Sequence, residues 1–489
     1  MPDAAIRPVI EHIHAASRAL RSRELRESLR HIGSEDAALL RRAILRVTAF
    51  VDDSISNPVL GSLFARTAED PVNALAAALA EAYGVARTYP GTTGTTGLNV
   101  PAVLTLAHEG ETIAVARDCH VSVIGALCLS GATPVYLEPP FDAARGLMLP
   151  PTPAEVAALL NANPAVRALV VTMPTYHGLM GDVAGVVAEC HRRGVLAMVD
   201  EAHGPHYRFL RALGYPVCAE DAGADVVTQS THKVLSALSQ ASLLHFNNLG
   251  LVMRYEEFQS MGFQSTSFSY PLLMSIEQAI ERITSQGHDD WLAALDLAAR
   301  LGHMAGRIEG VTVLGENVID GVRVVGRDRC RVTLDVRGTG WTGYALARAL
   351  AERGNVVEMA TQDLLLLLVS PSVSEMQVDT TIADLLDILH DDVPPHPDPA
   401  LLVPPPLPEQ VLTPRQATLS RARIRVPRRE AVGRVSAETI GAYPPGQAIF
   451  VPGERIHAEG VEFLEGVVAS GGHLKRVHDD DFQTIEVLA

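Results

Sequence analysis

The chain has 489 residues, of which 47% are hydrophobic and 20% charged. That is enough for a large core and about two to four domains. Its 57 acidic and 40 basic residues leave a formal charge of −17, a surface that repels nucleic acid and anionic membranes and excludes both as expected partners. Five scattered cysteines (Cys119, Cys128, Cys190, Cys218 and Cys330) lack metal spacing. They argue against a disulfide scaffold and fit a reducing cytoplasm. The first residues hold no continuous apolar core of a signal peptide, and no apolar run approaches a membrane span.

In chain order, residues 1–67 read as an N-terminal helical segment, with Ile6, Ile10, Ile13 and Leu20 in one stripe and Ser17 in its gap. A helix is expected over 71–83, capped by Asp70. A Gly/Thr-rich turn (Gly91-Thr92-Thr93-Gly94-Thr95-Thr96-Gly97) then leads to a helix over 101–107. Strands over 112–116, 133–137 and 168–172 alternate with helices over 121–130, 154–161 and 184–193. An apolar run over 194–199 reads as a strand ending in Asp200, and a strand over 224–228 leads into the polar turn Ser230-Thr231-His232-Lys233. This alternation predicts an α/β fold with a mostly parallel sheet buried on both faces, whose ligands sit at the carboxyl ends of its strands. A helical stretch over 272–308, stopped by Gly310, precedes a smaller α+β unit with strands over 332–336 and 364–369 and a helix over 344–353. Nine prolines within 394–414 predict a stiff linker before a compact unit over 415–489. The expected domains are therefore 68–290 (large, cofactor-binding), 291–393 (small α+β) and 415–489 (C-terminal).

The two strand ends carry the chemistry. Lys233 follows Asp200 by 33 residues, so neighbouring strands offer an amine and a carboxylate to one crevice. A lone lysine is ordinarily a solvated surface group, and a lone aspartate at a strand end is ordinarily a cap. Together they match the needs of pyridoxal 5'-phosphate: a lysine to hold the aldehyde and a carboxylate to keep the ring nitrogen protonated. Ser230 and His232 are expected to donate to the phosphate. Thr95 and Thr96 are expected to do so from the glycine turn, where backbone amides and a helix start favour an anion. Ala202 is small enough to pack under the ring, His203 could reach the phenolic oxygen, and His120 could stack on the opposite face. No metal site is expected.

These residues lie in motifs that resemble the bacterial-type ornithine/lysine/arginine decarboxylases, a family of fold type I pyridoxal phosphate enzymes. The resemblance runs from about residue 70 to the end. It rests on Gly94-Thr95-Thr96-Gly97, Cys119-His120-Val121-Ser122, Pro174-Thr175-Tyr176-His177-Gly178, Asp200-Glu201-Ala202-His203-Gly204-Pro205-His206, Ser230-Thr231-His232-Lys233 and Gln264-Ser265-Thr266-Ser267. Residues 431–438 and Tyr443-Pro444-Pro445-Gly446 are similar to the family's last domain. The resemblance implies a homodimer or higher homo-oligomer with sites at the subunit interface, and places Ser265 and Thr266 near the phosphate. The chain departs from the family in three places. A Pro-Gly-His-Lys segment is missing where residues 54–66 stand, Phe268 replaces a proline, and Gln447-Ala448 replaces an apolar-proline pair.

The expected activity is α-decarboxylation of a basic amino acid (arginine, lysine or ornithine), with Lys233, His120 and Asp200 catalytic. Glu454, in a Pro-Gly-Glu turn, is the expected carboxylate for the substrate's cationic end. Two alternatives remain open on sequence: another outcome on the same cofactor, such as oxidative deamination or aldol-type cleavage, and a catalytically silent regulatory homologue.

Overall fold

Alternating small and β-branched residues build the central strands. The computed structural model describes residues 71–265, 268–390, 402–443, 447–475 and 481–489. The expected N-terminal helix, the Asp70 cap, Thr266, residues 394–401 of the linker and the Pro444-Pro445-Gly446 turn lie outside these. Seven strands form the main sheet: β1 (Arg87–Gly91), β2 (Thr112–Ala116), β3 (Thr133–Leu137), β4 (Val166–Thr172), β5 (Leu196–Asp200), β6 (Val226–Gln229) and β7 (Ser242–Phe246). Their order is β1-β7-β6-β5-β4-β2-β3, and β7 alone runs antiparallel to its neighbours.

Both faces of this sheet are buried. Ile113 and Val115 of β2 point into one apolar cluster with Leu98, Val103 and Val123, while Ala114 and Ala116 point into another with Val156, Val186 and Val187. Helices α1 (Pro71–Tyr83), α2 (Gly94–Leu106), α3 (Val121–Ser130), α4 (Pro153–Ala162) and α5 (Val183–His191) supply these faces. Each fully buried Val, Leu or Ile contributes roughly 1.5–3 kcal/mol, so two-sided burial explains why the strands read as near-continuous apolar runs.

In the main sheet region, two strands and one helix start escape the sequence reading. β1 carries Pro90 and Gly91, both breaker signals, but it is the sheet's edge, where a missing N–H is tolerated. β7 carries the polar pair Ser242 and His245, both buried. Helix α2 begins at Gly94 rather than at Pro101, which lies inside it. Core packing of Leu98, Ala102 and Val103 outweighs the proline signal.

The stretch expected over 272–308 is two helices, α6 (Tyr270–Ser285) and α7 (Gly287–Ala305). A second, antiparallel sheet of order β8-β9-β11-β10 follows: β8 (Thr312–Leu314), β9 (Arg331–Asp335), β10 (Met359–Ala360) and β11 (Leu364–Leu368). α8 (Gly343–Glu352) and α9 (Glu375–His390) pack on it. The C-terminal segment holds β12 (Arg423–Pro427), paired with β16 (Thr484–Leu488), and a three-stranded sheet of β13 (Ile440–Tyr443), β14 (Gln447–Phe450) and β15 (His473–Lys475) beside α10 (Ala458–Ala469). The described half of the proline-rich segment is packed rather than a free spacer: His457 bonds the Pro406 carbonyl (3.1 Å) and Arg455 pairs with Glu409 (2.7 Å).

Candidate active site

The carboxyl ends of β2, β4, β5 and β6 and the turn after β1 open onto one cavity of about 370 Å³. That volume lies in the range of a small-molecule site. It gathers Thr95, Thr96, His120, Asp200, Ala202, His203, Ser230, His232 and Lys233, as expected of ligands in an open parallel sheet.

Asp200 ends β5 with its carboxylate held from several sides. Asn99 Nδ2 donates to Oδ2 (3.0 Å), while Thr228 Oγ1 (3.3 Å) and the Ala202 N–H (3.1 Å) reach Oδ1. Asn99 is itself fixed by Thr228 Oγ1 (2.9 Å) and donates to Ser122 Oγ (3.0 Å). A carboxylate so held is fixed in direction. The next residue, Glu201, points away: it accepts from Gln229 Nε2 (2.6 Å) and the Ala219 N–H (3.0 Å).

Lys233 lies on a single helical turn (Thr231–Val234), not in an irregular turn, because the Leu235 N–H closes onto the Thr231 carbonyl (2.9 Å). Its Nζ lies 2.9 Å from His203 Nε2. On the other side of the ring, Arg331 Nη2 approaches His203 Nδ1 at 2.6 Å. Tyr176 packs on the same imidazole, ring centres 4.6 Å apart. Burial, followed by the neighbouring Lys233 and Arg331, holds the His203 pKa well below the usual value.

Thr95 Oγ1 and Ser230 Oγ lie 3.0 Å apart, at the start of α2. The amides of Thr95 and Thr96 in this first helical turn, beside the two hydroxyls, form an anion cradle. His232 uses Nδ1 on the Ala241 carbonyl (2.8 Å), so its other nitrogen donates only when the ring is charged, and burial lowers its pKa. His120 caps α3: the Ser122 N–H donates to Nδ1 (3.2 Å). Burial leads in lowering its pKa, with Lys475 and Lys233 acting in the same direction.

Two expected residues are not brought to the cavity. Ser265 is exposed and outside its lining. Glu454 is fully buried in a bidentate pair with Arg117 (2.7 and 2.6 Å) and accepts the Val451 N–H (2.8 Å). Arg117 also donates to the Ala448 and Ile449 carbonyls (3.0 and 3.1 Å). Glu454 thus clamps the C-terminal segment onto the large sheet, and every strong partner it has is already taken.

Other residues escape the sequence reading. Asp118 lines the cavity just beyond β2; burial, with the Asp200 carboxylate adding to it, pushes its pKa up to about 7. Its position two residues before His120 was the available signal. Asn99 and Arg331 gave none, since each acts on a residue distant in sequence. The far wall of the cavity comes from Tyr344, Gln362 and Asp363 of the second sheet region, Leu402 and Pro404 of the proline-rich segment, and Gln447 and Phe463 of the C-terminal segment.

An amine facing a fixed carboxylate, with an anion cradle between two strand ends, fits pyridoxal 5'-phosphate, and the fold is that of the fold type I enzymes. Residues 47–377 match the family described as Orn/Lys/Arg decarboxylase, major domain, and residues 402–473 match its C-terminal domain. The chain belongs to this family and is a pyridoxal phosphate-dependent amino acid decarboxylase. It is 32% identical over 414 residues to an arginine decarboxylase of Halalkalibacterium halodurans, covering 84% of this chain and 83% of that protein. An arginine decarboxylase of Bacillus subtilis is 31% identical over 416 residues, covering 84% of each. The fold is similar to that of the constitutive lysine decarboxylase of Escherichia coli (TM-score 0.77, 22% identity, 99% of this chain and 82% of that one). Among the described residues, no helix is long and apolar enough to cross a membrane.

Proposed function

We propose that the protein decarboxylates a basic amino acid to its amine and carbon dioxide. The observation that carries this reading is the continuity of one cavity from Lys233 and Asp200 to a far wall that includes the Asp363 carboxylate. When bound, the cofactor supplies an electron sink for the pair left behind by the departing α-carboxylate.

Lys233 would anchor the cofactor, and its amine is the group that would move a proton. Asp200, held by Asn99, would keep a proton on the ring nitrogen. Thr95, Thr96 and Ser230 would hold the phosphate, joined by His232 when its ring is charged; Ala202 and His120 would hold the ring, and His203 its phenolic oxygen. Asp363, half-buried with its pKa raised by burial, pairs with the substrate's distal cation in the role first expected of Glu454. The apolar side chains lining the cavity (Phe141, Met148, Leu402, Phe463) accept the methylenes between the two charged ends. The identity of two arginine decarboxylases to this chain favours arginine among the three candidates.

The working unit is a homodimer or larger homo-oligomer. Ser265, exposed and outside the cavity of its own chain, is proposed to serve a neighbour's phosphate. Incubating holoenzyme with arginine, lysine and ornithine, and following carbon dioxide and amine by mass spectrometry, tests the activity. The expected result is equimolar carbon dioxide and a diamine or agmatine; turnover without carbon dioxide would overturn it.

A further inference from the structure

Arg331 starts β9 and is 1% exposed. It lies outside the cavity lining, and the cofactor roles proposed above do not use it. Its guanidinium is hydrogen-bonded on one arm and flanked by two carboxylates. Nη1 donates to the Tyr176 carbonyl (3.0 Å), Asp328 lies at 3.5 Å and Glu358 at 3.9 Å. Asp328 is itself held by the Tyr215 hydroxyl (3.0 Å) and the Cys330 N–H (3.1 Å). The remaining arm, Nη2, meets His203 Nδ1 at 2.6 Å.

A guanidinium has donors and no acceptor, and it stays charged in proteins. His203 Nδ1 must therefore accept. A neutral imidazole then carries its proton on Nε2, which lies 2.9 Å from Lys233 Nζ. An ammonium also has only donors, so this second bond forms only with an amine that offers its lone pair. A charged His203 is no alternative, because it would be a third cation wedged between Arg331 and Lys233 in a buried site.

We propose that Arg331 is a positioning residue that fixes the proton of His203 on Nε2 and, through that ring, holds Lys233 as the free, nucleophilic amine. The other groups facing Lys233 divide. Asp200 and Glu358 favour its charged form, while Arg331 and the enclosing burial oppose it, burial most strongly. His120 and His232 line the same cavity with their own pKa values lowered, which favours their uncharged forms. The direction of the Lys233 pKa, below that of an ordinary lysine, agrees with the geometry.

The sequence makes the test clean, because its only lysines are Lys233 and the exposed Lys475. The full-length chain, stripped of cofactor, is treated with cyanate across a pH series, and carbamoylation of each lysine is read by peptide mass spectrometry. The midpoint of the profile reports the free-amine fraction and is insensitive to access. The Lys233 midpoint is expected below that of Lys475. It should rise by about one unit, a tenfold loss of free amine at a given pH, in both Arg331→Met and His203→Phe. Arg331→Met also removes a charge, whereas His203→Phe keeps the guanidinium and removes only the bridge. His203→Phe therefore decides the matter even if Arg331→Met fails to fold. An unshifted Lys233 midpoint in folded His203→Phe, or equal midpoints for the two lysines in the wild type, would overturn the proposal. It rests on reading Lys233 as the cofactor's anchor, but the profile is recorded without cofactor or substrate. A failed decarboxylase assay would therefore leave it standing.

Discussion

The floor and the far wall of the cavity are built on different principles. The floor comes from one sheet: adjacent strand ends deliver Asp200 and Lys233, and Asn99, Thr228 and Arg331 lock the polar groups in place. The far wall is assembled from the second sheet region, the proline-rich segment and the C-terminal segment, and is largely apolar apart from Asp363, Gln362 and Gln447. A preorganised floor suits chemistry common to every substrate. A wall drawn from separate segments can change one residue at a time without disturbing the floor, which is how a family with one cofactor can vary its substrate.

If this division holds, floor variants should abolish chemistry and wall variants should alter only substrate affinity. Lys233→Ala should lose at least ~10³-fold in turnover, together with the visible absorbance of the bound cofactor, read in a stopped assay and by spectroscopy. Asp200→Asn should retain the cofactor but lose about a hundredfold or more in kcat, the scale of removing a preorganised charge.

Glu454→Gln tests whether that residue belongs to the wall or to the scaffold. Leaving Arg117 buried without its partner should cost about 3–5 kcal/mol in denaturant unfolding, without a selective rise in KM for basic substrates. A selective KM effect in a fully stable variant would restore it to the site. Asp363→Asn should raise KM for basic amino acids about tenfold, the worth of one charge-assisted hydrogen bond, with kcat little changed.

The smallest effect concerns Asp118, whose pKa in the folded chain is raised to about 7. Between about pH 4, where an unfolded aspartate titrates, and pH 7, the folded chain holds a proton that the unfolded chain gives up. Stability should fall as pH rises through that window. In cofactor-free protein, Asp118→Asn should flatten this slope in urea unfolding at several pH values.

The same division governs what the sequence made legible. Asp200, Lys233 and His120 each follow an apolar run and the threonine turn carries its own glycine pattern, so local sequence located them. Their supporting residues were silent, because Asn99 sits mid-helix and Arg331 lies 98 residues beyond Lys233. Contacts across such distances leave no local pattern. Glu454 was misjudged for a related reason: a Pro-Gly-Glu turn reads as exposed, and only the docking of Arg117 buries it. The edge strand β1 was hidden by Pro90, which an edge tolerates and a central strand would not.

The central claim is that Lys233 anchors the cofactor at the floor. Borohydride reduction of the holoenzyme followed by peptide mass mapping tests it most directly, since the chain offers only two lysines. The cofactor's mass is expected on the peptide containing Lys233 and not on that containing Lys475. Cofactor mass on Lys475, or on neither peptide of a fully active enzyme, would contradict the account.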